Sequence, residues 1–525
     1  MTEKYSEKKS VFIEKVEEPI LHENHKLPRT RREFLAHGFI GMATTTVLPT
    51  FTSLLFRSNI ANAQSVLECI PPSYQLGLPY ICIDAAGGMN IAGQNAIVGM
   101  KKSDIQEDVG SDASDYIRLG ISPAEHPKDE SKVESKYKLK FHRSSGILEG
   151  MNSVLDGQMV NGKPISASID GLLFCTRTGD DTATNPINTV YQANRAGAGG
   201  KIVQLVGNAN TDTGARSAAP SNVIDLKIRP TRITRNEDAQ GLLTLGTDLM
   251  GTQYLDKANT GAKLEKFMSR ISKMNQRKLN QLKGLDSESQ IKKVLECSTE
   301  SAKQLFTTFS AEALNPANDA SVTDVYGGAS QNEAALAKLV IDQYAGAGTI
   351  TIGGADYHGN TPVGTHAKDR QVGSAIGRAI LLASRKSQNL AIHLYTDGGV
   401  AGDSGGVAMA VQTGAGMIEK VRWTGDSGTR SSALMLFYVH DHDGSSMVLE
   451  DSDGNGRRQI GNFKKAGGVN LDTVIGDSTE NLWKAIMLNY LAIQGKEGDF
   501  ESIFGSGSLP PEWATLVRMK PVISA

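Results

Sequence analysis

The stretch that decides the fold is TITIGGADYHGN, residues 349–360. Its first four residues are apolar or β-branched, which predicts a short buried strand. The remainder is polar and rich in glycine, which predicts a loop where that strand ends. Apolar residues recur at helical spacing in 332–345 and 366–386, so a helix is predicted on each side of the strand and its loop. A second apolar run, 390–395, predicts the next strand.

The same alternation extends toward the N-terminus. Residues 80–84 and 169–175 are short apolar runs that predict two earlier buried strands. Continuous apolar strands that alternate with helices are typical of a mostly parallel sheet covered by helices on both faces. The sequence therefore predicts an α/β fold. Residues 100–165 are predicted to be an insertion and residues 251–315 a helical excursion.

The composition narrows the class of protein. The chain has 525 residues and a formal net charge of −2, with 39% hydrophobic and 21% charged residues, as in a typical globular protein. A nearly neutral chain lacks the overall charge that attracts nucleic acid, so no nucleic-acid partner is predicted. The even number of cysteines permits disulfides, but their spacing does not assign the pairs. The cysteines are Cys69, Cys82, Cys175 and Cys297.

The N-terminal 63 residues have the pattern of an export signal. A charged segment ends in Arg31-Arg32, apolar segments follow, and Ala61-x-Ala63 supplies the small residues that a signal peptidase recognises. Adjacent arginines at this place indicate the twin-arginine route. The alternative is a buried or membrane-anchoring helix with a chance arginine pair. The signal interpretation predicts that the mature protein begins near Gln64 and is periplasmic or secreted, without a stable transmembrane anchor. Its predicted partners are the twin-arginine export machinery and a signal peptidase.

Acidic residues follow three of the predicted strands. Asp84, Asp356 and Asp397 stand at or just after strand ends, and His358 lies two residues beyond Asp356. Because the carboxyl ends of parallel strands share one edge, these side chains are predicted to lie together. Three carboxylates and an imidazole can bind zinc, manganese or magnesium. The alternative is that each aspartate caps a turn, which is common after strands.

Two further residues are candidates for substrate binding. Arg177 lies in the polar stretch TRTGDDT, residues 176–182, which follows another predicted strand and offers hydroxyls, a guanidinium and two acids. A guanidinium there could clamp an anion, whereas the alternative is a solvated turn. Asn360 ends the loop that carries Asp356 and His358.

Taken in chain order, the motifs resemble those of a bacterial family of twin-arginine-exported proteins known as domain of unknown function 1501. The resemblance includes the arginine pair, the strand 81–84 before Gly87-Gly88, the loop 353–360 and the closing segment 503–511. That family is similar in fold to the alkaline phosphatase and sulfatase superfamily. The resemblance covers most of residues 64–525, and it implies one alkaline-phosphatase-like domain over that range.

The resemblance implies a metal-dependent hydrolase of phosphate or sulfate esters, but the chain departs from the family pattern. Residues 428–431 lack the family's His and Asp, and the segment after Asp397 lacks its Arg. The superfamily's nucleophile follows the first strand, where residues 85–95 contain no Ser, Thr or Cys. Two hypotheses therefore stay open, and catalytic residues are not identified. One is a hydrolase with a reduced site, and the other is a non-catalytic envelope binding or assembly protein on the same scaffold.

Overall fold

Helices and strands alternate along the chain, and the apolar runs of the sequence form the centre of a large sheet. The computed structural model describes residues 76–101, 104–106, 108–178, 187–208, 230–248, 273, 311–328, 330–359, 361–396 and 398–523.

The strands, in chain order, are β1 (Tyr80–Ala86), β2 (Val133–Tyr137), β3 (Leu139–His142), β4 (Met159–Val160), β5 (Lys163–Pro164), β6 (Ile169–Phe174), β7 (Val203–Gly207), β8 (Thr231–Arg232), β9 (Ala345–Gly353), β10 (Leu390–Tyr395), β11 (Val400–Gly402), β12 (Ala408–Thr413), β13 (Gly416–Val421), β14 (Trp423–Asp426), β15 (Ala433–Tyr438), β16 (Gln459–Ile460), β17 (Phe463–Lys464) and β18 (Gly468–Val469).

The α-helices are α1 (Gly146–Leu155), α2 (Val190–Arg195), α3 (Asn236–Asp248), α4 (Ala311–Leu314), α5 (Ala320–Tyr326), α6 (Gln331–Ile341), α7 (Pro362–Arg385), α8 (Thr479–Ala492), α9 (Phe500–Phe504) and α10 (Trp513–Leu516). Short 3₁₀ helices cover Ala113–Leu119, Pro123–Glu125, Glu130–Lys132, Ile165–Ser168, Pro316–Asn318, Gly428–Arg430 and Glu497–Asp499.

The main sheet has eight strands in the order β16-β6-β15-β10-β1-β9-β7-β8. Every neighbouring pair in this order is parallel except the two pairs that contain β15. The prediction of an α/β fold with a mostly parallel sheet is therefore confirmed. Because β15 runs in the opposite direction, it begins at the edge of the sheet where its neighbours β10 and β6 end.

Different helices cover the two faces of the sheet. Ile81 and Ile83 of β1 belong to a core that also contains the buried side chains of α1, α6 and α7. Tyr80 and Cys82 belong to a second core, with buried side chains of α2 and α8. Because alternate side chains of a strand point to opposite faces, β1 is buried on both sides. The prediction of helices on both faces is confirmed.

The predicted helix 332–345 is too long, because α6 ends at Ile341 and strand β9 begins at Ala345. β9 includes the Ala-Gly-Ala-Gly segment that precedes its apolar run. A Cβ atom at Gly346 would lie 2.4 Å from the carbonyl oxygen of Ala198, and one at Gly348 would lie 2.7 Å from a Leu336 side-chain atom. The glycines therefore allow close packing within the layers, and they do not mark a loop.

The peripheral segments are described only in part. In the predicted insertion 100–165, the described strands form two-stranded pairs outside the main sheet, and α1 packs on α7. The predicted excursion 251–315 lies outside the described residues except for residue 273 and the segment from 311 onward. The predicted signal 1–63 also lies outside them. None of the described helices combines the length and apolar content needed to cross a membrane.

Candidate functional site at the carboxyl edge of the sheet

The carboxyl ends of β9, β1 and β10 lie side by side. β1 pairs in parallel with both neighbours, and Asp84 stands opposite Thr351 on one side and Tyr395 on the other. β6 ends at the same edge, because β15 is antiparallel to both β10 and β6. Four strand ends therefore deliver their loops to one edge, which is where open α/β sheets bind ligands.

Asp84 lies within its strand, because β1 continues to Ala86. Its half-buried carboxylate accepts a hydrogen bond from the hydroxyl of Thr351, with 3.1 Å between Oδ2 and Oγ1. Thr351 stands opposite it in the parallel register, so the contact is between neighbours on one sheet face. The tertiary structure thus fixes the orientation of this carboxylate.

Asp356 is held against the turn that follows β1. The backbone N–H of Ala355 donates to the Ala86 carbonyl at 3.0 Å, and that of Tyr357 donates to the Gly88 carbonyl at 3.3 Å. A Cβ atom at Gly87, where φ is +124°, would lie 2.7 Å from the Cβ of Asp356. Because glycine has no side chain, it allows both this unusual backbone angle and the close approach of Asp356.

The Asp356–His358 pair forms a local turn. Oδ1 of Asp356 accepts the backbone N–H of His358 at 2.8 Å, which is the turn-capping role weighed against metal binding. The His358 imidazole is 3.7 Å from the carboxylate of Asp426, measured from Nδ1 to Oδ2, and both side chains are about half exposed. Asp426 reaches this place because β14 pairs with β11, which follows β10.

These donors do not complete a metal site by themselves. Among the residues that the structure describes, no three His, Cys, Asp or Glu side chains lie close enough together to hold a metal ion. Asp397, the fourth predicted ligand, lies outside those residues, as does Asn360. Carboxylate and imidazole are suitable donors for zinc or manganese, so the donor chemistry fits an ion. The described residues alone supply fewer ligands than such a site needs.

Arg177 lies at the same edge, after β6, but it has an acidic partner. Its Nη1 is 2.9 Å from Oδ1 of Asp477, and about half of each side chain is exposed. An exposed ion pair of this kind is weak, so the guanidinium retains donors for an anion. The signal residues Arg31, Arg32, Ala61 and Ala63 lie outside the described residues.

A buried polar network lies beneath the Asp356–His358 turn. The Tyr357 hydroxyl donates to Oδ1 of Asp369, while Oδ2 accepts from Gln94 Nε2 at 3.0 Å and from Asn95 Nδ2 at 3.1 Å. Burial raises the pKa of Asp369 to about 7, although Lys420, Tyr357 and Asn95 oppose the shift. The network joins the turn after β1 to helix α7, so it braces the loop that carries Asp356.

A second chain of contacts links this core to the surface. Lys420 Nζ is 3.1 Å from His366 Nδ1, and His366 Nε2 is 3.0 Å from Oε2 of Glu149. Burial lowers the pKa of Lys420 to about 8, and burial together with the Lys420 charge lowers that of His366 to about 4. A neutral His366 accepts at Nδ1 from the lysine and donates its Nε2–H to Glu149.

The two described cysteines are free and buried, so they form no disulfide with each other, whereas Cys69 and Cys297 lie outside the described residues. Cys82 Sγ lies 3.9 Å from Nδ1 of His393. Burial raises the pKa of Cys82 to about 12 and lowers that of His393 to about 3. Both groups are therefore neutral and enclosed, and they do not form an activated nucleophile.

Sequence reasoning missed Asp426, Asp369 and Lys420. The last two had a signal, because each occupies an apolar face. Asp369 is on the buried stripe of α7 that contains Val372, and Lys420 shares one face of β13 with buried Ile418. Asp426 had no such signal, since only strand pairing brings it to His358.

Comparisons with protein-family models, curated proteins and solved structures give no significant match. The family resemblance therefore stays a prediction from the motifs.

Proposed function

We propose that this protein binds phosphate or sulfate esters at the carboxyl edge of its sheet and hydrolyses them with a divalent ion. The scaffold would be similar to that of alkaline phosphatases and sulfatases. The observation that supports this proposal best is the attachment of the Asp356 loop to the turn after β1. Asp356 and His358 thereby lie at the sheet edge where β1, the adjacent strand that carries Asp84, ends.

Zinc, manganese or magnesium would be held by Asp84, Asp356, His358 and Asp397. A bound ion polarises an ester oxygen or lowers the pKa of a water molecule, so no protein nucleophile is needed. The protein's part is to position the donors. Thr351 orients Asp84, and the Asp426 carboxylate, 3.7 Å from the His358 imidazole, can orient that ring.

The test is a calorimetric titration of the purified protein with zinc, manganese and magnesium. His358→Ala should lower the affinity for the bound ion by roughly tenfold to a hundredfold or more, since even the loss of a group behind a ligand costs that much. His440→Ala is the matched control. His440 follows β15 at the opposite edge of the sheet, so its loss should leave ion binding unchanged.

Two outcomes would contradict the proposal. Equal ion binding by wild type and His358→Ala would remove the central imidazole from the site. Failure of the wild-type protein to hydrolyse p-nitrophenyl phosphate and p-nitrophenyl sulfate with each of the three ions would remove the catalytic function.

The second candidate function is non-catalytic binding or assembly in the cell envelope. It is favoured by the absence of Ser, Thr and Cys from residues 85–95 and by the turn-capping contact of Asp356. Under this hypothesis the edge binds its ligand without turnover, and His358→Ala has no effect on metal binding. For either function we propose twin-arginine export to the periplasm or beyond, on the strength of Arg31-Arg32 and Ala61-x-Ala63.

A further inference from the structure

The reversed strand β15 brings a second polar segment to the candidate site. In the register of the sheet, Leu434 stands opposite Leu394 of β10, and Ala433 stands opposite Phe174 of β6. The residues that precede Ala433 therefore lie at the edge where β10 and β6 end. They are Ser431 and Ser432, which follow the 3₁₀ helix Gly428–Arg430.

Three hydroxyl groups in or beside this segment are buried and have no hydrogen-bond partner among the described residues. The side-chain oxygens of Ser431, Ser432 and Thr178 make no hydrogen bond within the described part of the chain. The three residues are only 0%, 1% and 3% exposed, respectively. Thr178 lies beside this segment, because its backbone N–H donates to the Gly428 carbonyl at 3.0 Å. Buried polar groups are nearly always paired in native proteins, so three unpaired hydroxyls in or beside one short segment point to an external acceptor.

Arg430 contributes a positive charge next to Ser431 in the chain. Its Nη1 donates to Oγ of Ser427 at 2.5 Å, and its buried Nε has no partner among the described residues. Burial and the nearby charge of Arg118 both lower the pKa of Arg430. Across the described ranges, neither arginine forms an ion pair with an acidic side chain.

The segment is next to the Asp356 loop. A Cβ atom at Gly399 would lie 3.0 Å from the backbone carbon of Arg430. A Cβ atom at Gly88 would lie 3.8 Å from Oδ1 of Asp356 and 4.0 Å from the backbone carbon of Gly398. The Gly398-Gly399 segment thus lies between the backbone of Arg430 and Asp356.

We propose that Arg430, Ser431, Ser432 and Thr178 form a subsite that binds the oxyanion group of a phosphate or sulfate ligand. A guanidinium presents a planar fork of donors that matches two oxygens of such a group, and hydroxyls can donate to the others. The proposal that this subsite binds an oxyanion depends on these contacts alone. The proposal that the oxyanion is the charged end of a substrate rests on the proposed function. In the sequence, Arg430 and Ser431 stand out only as a departure from the family pattern, and Thr178 belongs to the polar stretch 176–182.

The test is calorimetric titration of the purified protein with sodium phosphate and sodium sulfate, at low ionic strength and without divalent ions. Wild type should bind at least one of the two, and acetate and chloride should bind more weakly. Arg430→Gln should weaken binding by roughly tenfold to a hundredfold, since hydrogen bonds to charged groups are among the strongest. Arg385→Gln is the control. Arg385 lies in the last turn of α7, before β10 begins, and its guanidinium is paired with Asp324 at 3.2 Å, so binding should change by less than about threefold.

Thermal unfolding provides a second measurement on the same variants. A ligand that binds only the folded state raises the melting temperature, so phosphate or sulfate should stabilise wild type and Arg385→Gln but not Arg430→Gln. If Arg430→Gln does not fold, Arg430→Lys serves in its place, because lysine keeps the charge but loses the fork and should also weaken binding.

The proposal is overturned if wild type binds neither anion at millimolar concentration, or if the Arg430 variant binds as wild type does. Its failure is distinguishable from failure of the proposed function. Anion binding that depends on Arg430, together with no hydrolysis in the presence of any of the three ions, would retain the subsite and favour the non-catalytic hypothesis.

Discussion

Gly87 offers the sharpest test of how the candidate site is built. Its φ of +124° is one that residues with a side chain rarely adopt, and a Cβ atom there would lie 2.7 Å from the Cβ of Asp356. The change Gly87→Ala therefore combines two separate costs. One is backbone strain at the turn after β1, and the other is a steric collision with the loop that carries Asp356.

The magnitude follows from these two terms. A residue held in a sparsely populated backbone region costs on the order of 1–3 kcal/mol. Forcing an extra methyl group into an occupied space typically costs about another 1–3 kcal/mol. The sum, roughly 2–6 kcal/mol, is a large fraction of the stability of a typical domain. Because the collision involves Cβ and backbone atoms of Asp356, relief requires the loop itself to move.

Gly505 provides a matched control that separates the two terms. Its φ is +114°, close to that of Gly87, but a Cβ atom there would meet nothing within 4 Å. Gly505→Ala should therefore show the strain alone. Urea unfolding followed by circular dichroism gives the midpoint for each variant, and the slope m shows whether the transitions are comparable. We expect Gly87→Ala to be less stable than Gly505→Ala by about 1–3 kcal/mol.

The same variants should differ in ligand binding. Displacement of the Asp356 loop should weaken the binding of the divalent ion in Gly87→Ala and leave Gly505→Ala like wild type. Equal midpoints for the two variants would refute the argument that contact with Asp356 constrains this turn. A destabilised Gly87→Ala with wild-type ion affinity would separate the turn from the site.

Two other predictions concern pH dependence and export. Burial raises the pKa of Asp369 from its ordinary 3.8 to about 7, so between these values the folded chain keeps a proton that the unfolded chain has released. The contribution of this group to stability is therefore complete at low pH and falls by roughly 4 kcal/mol as the pH rises from about 4 to 7. Asp369→Asn should flatten that part of the profile of unfolding midpoint against pH, and an unchanged slope would show that another group titrates. Changing Arg31 and Arg32 together to Lys should leave the precursor in the cytoplasm, and cell fractionation that finds normal amounts of mature protein outside it would contradict the twin-arginine assignment.

The sequence by itself determined the central elements of the fold. The run 390–395 was predicted with the bounds that β10 has in the structure, and the runs at β1 and β6 were placed to within a few residues. These strands are buried on both faces, so their sequences are continuously apolar and the signal is local. β9 was less accurate, since its first glycines look like a loop until the layers that pack against them are known.

The sequence also predicted that β1, β9 and β10 end at one edge, because the direction of a parallel strand follows from the helix that precedes it. That is enough to bring Asp84 and the loop with Asp356 to the same edge. Their contacts were not predictable. The Thr351 hydroxyl meets Asp84, and the Asp426 carboxylate meets His358, through strand pairings that link distant parts of the chain.

Tertiary structure alone decided two further features. Asp369 and Lys420 influence each other's ionisation because α7 and the β12–β13 hairpin pack together, although each residue looks like an isolated charge in an apolar pattern. The direction of β15 brings Ser431 and Ser432 beside the ends of β10 and β6. Local sequence patterns indicate whether a segment is buried and whether its apolar residues recur with the period of a helix or of a strand. They do not indicate which residues pack against that segment, because this depends on contacts between residues far apart in the chain.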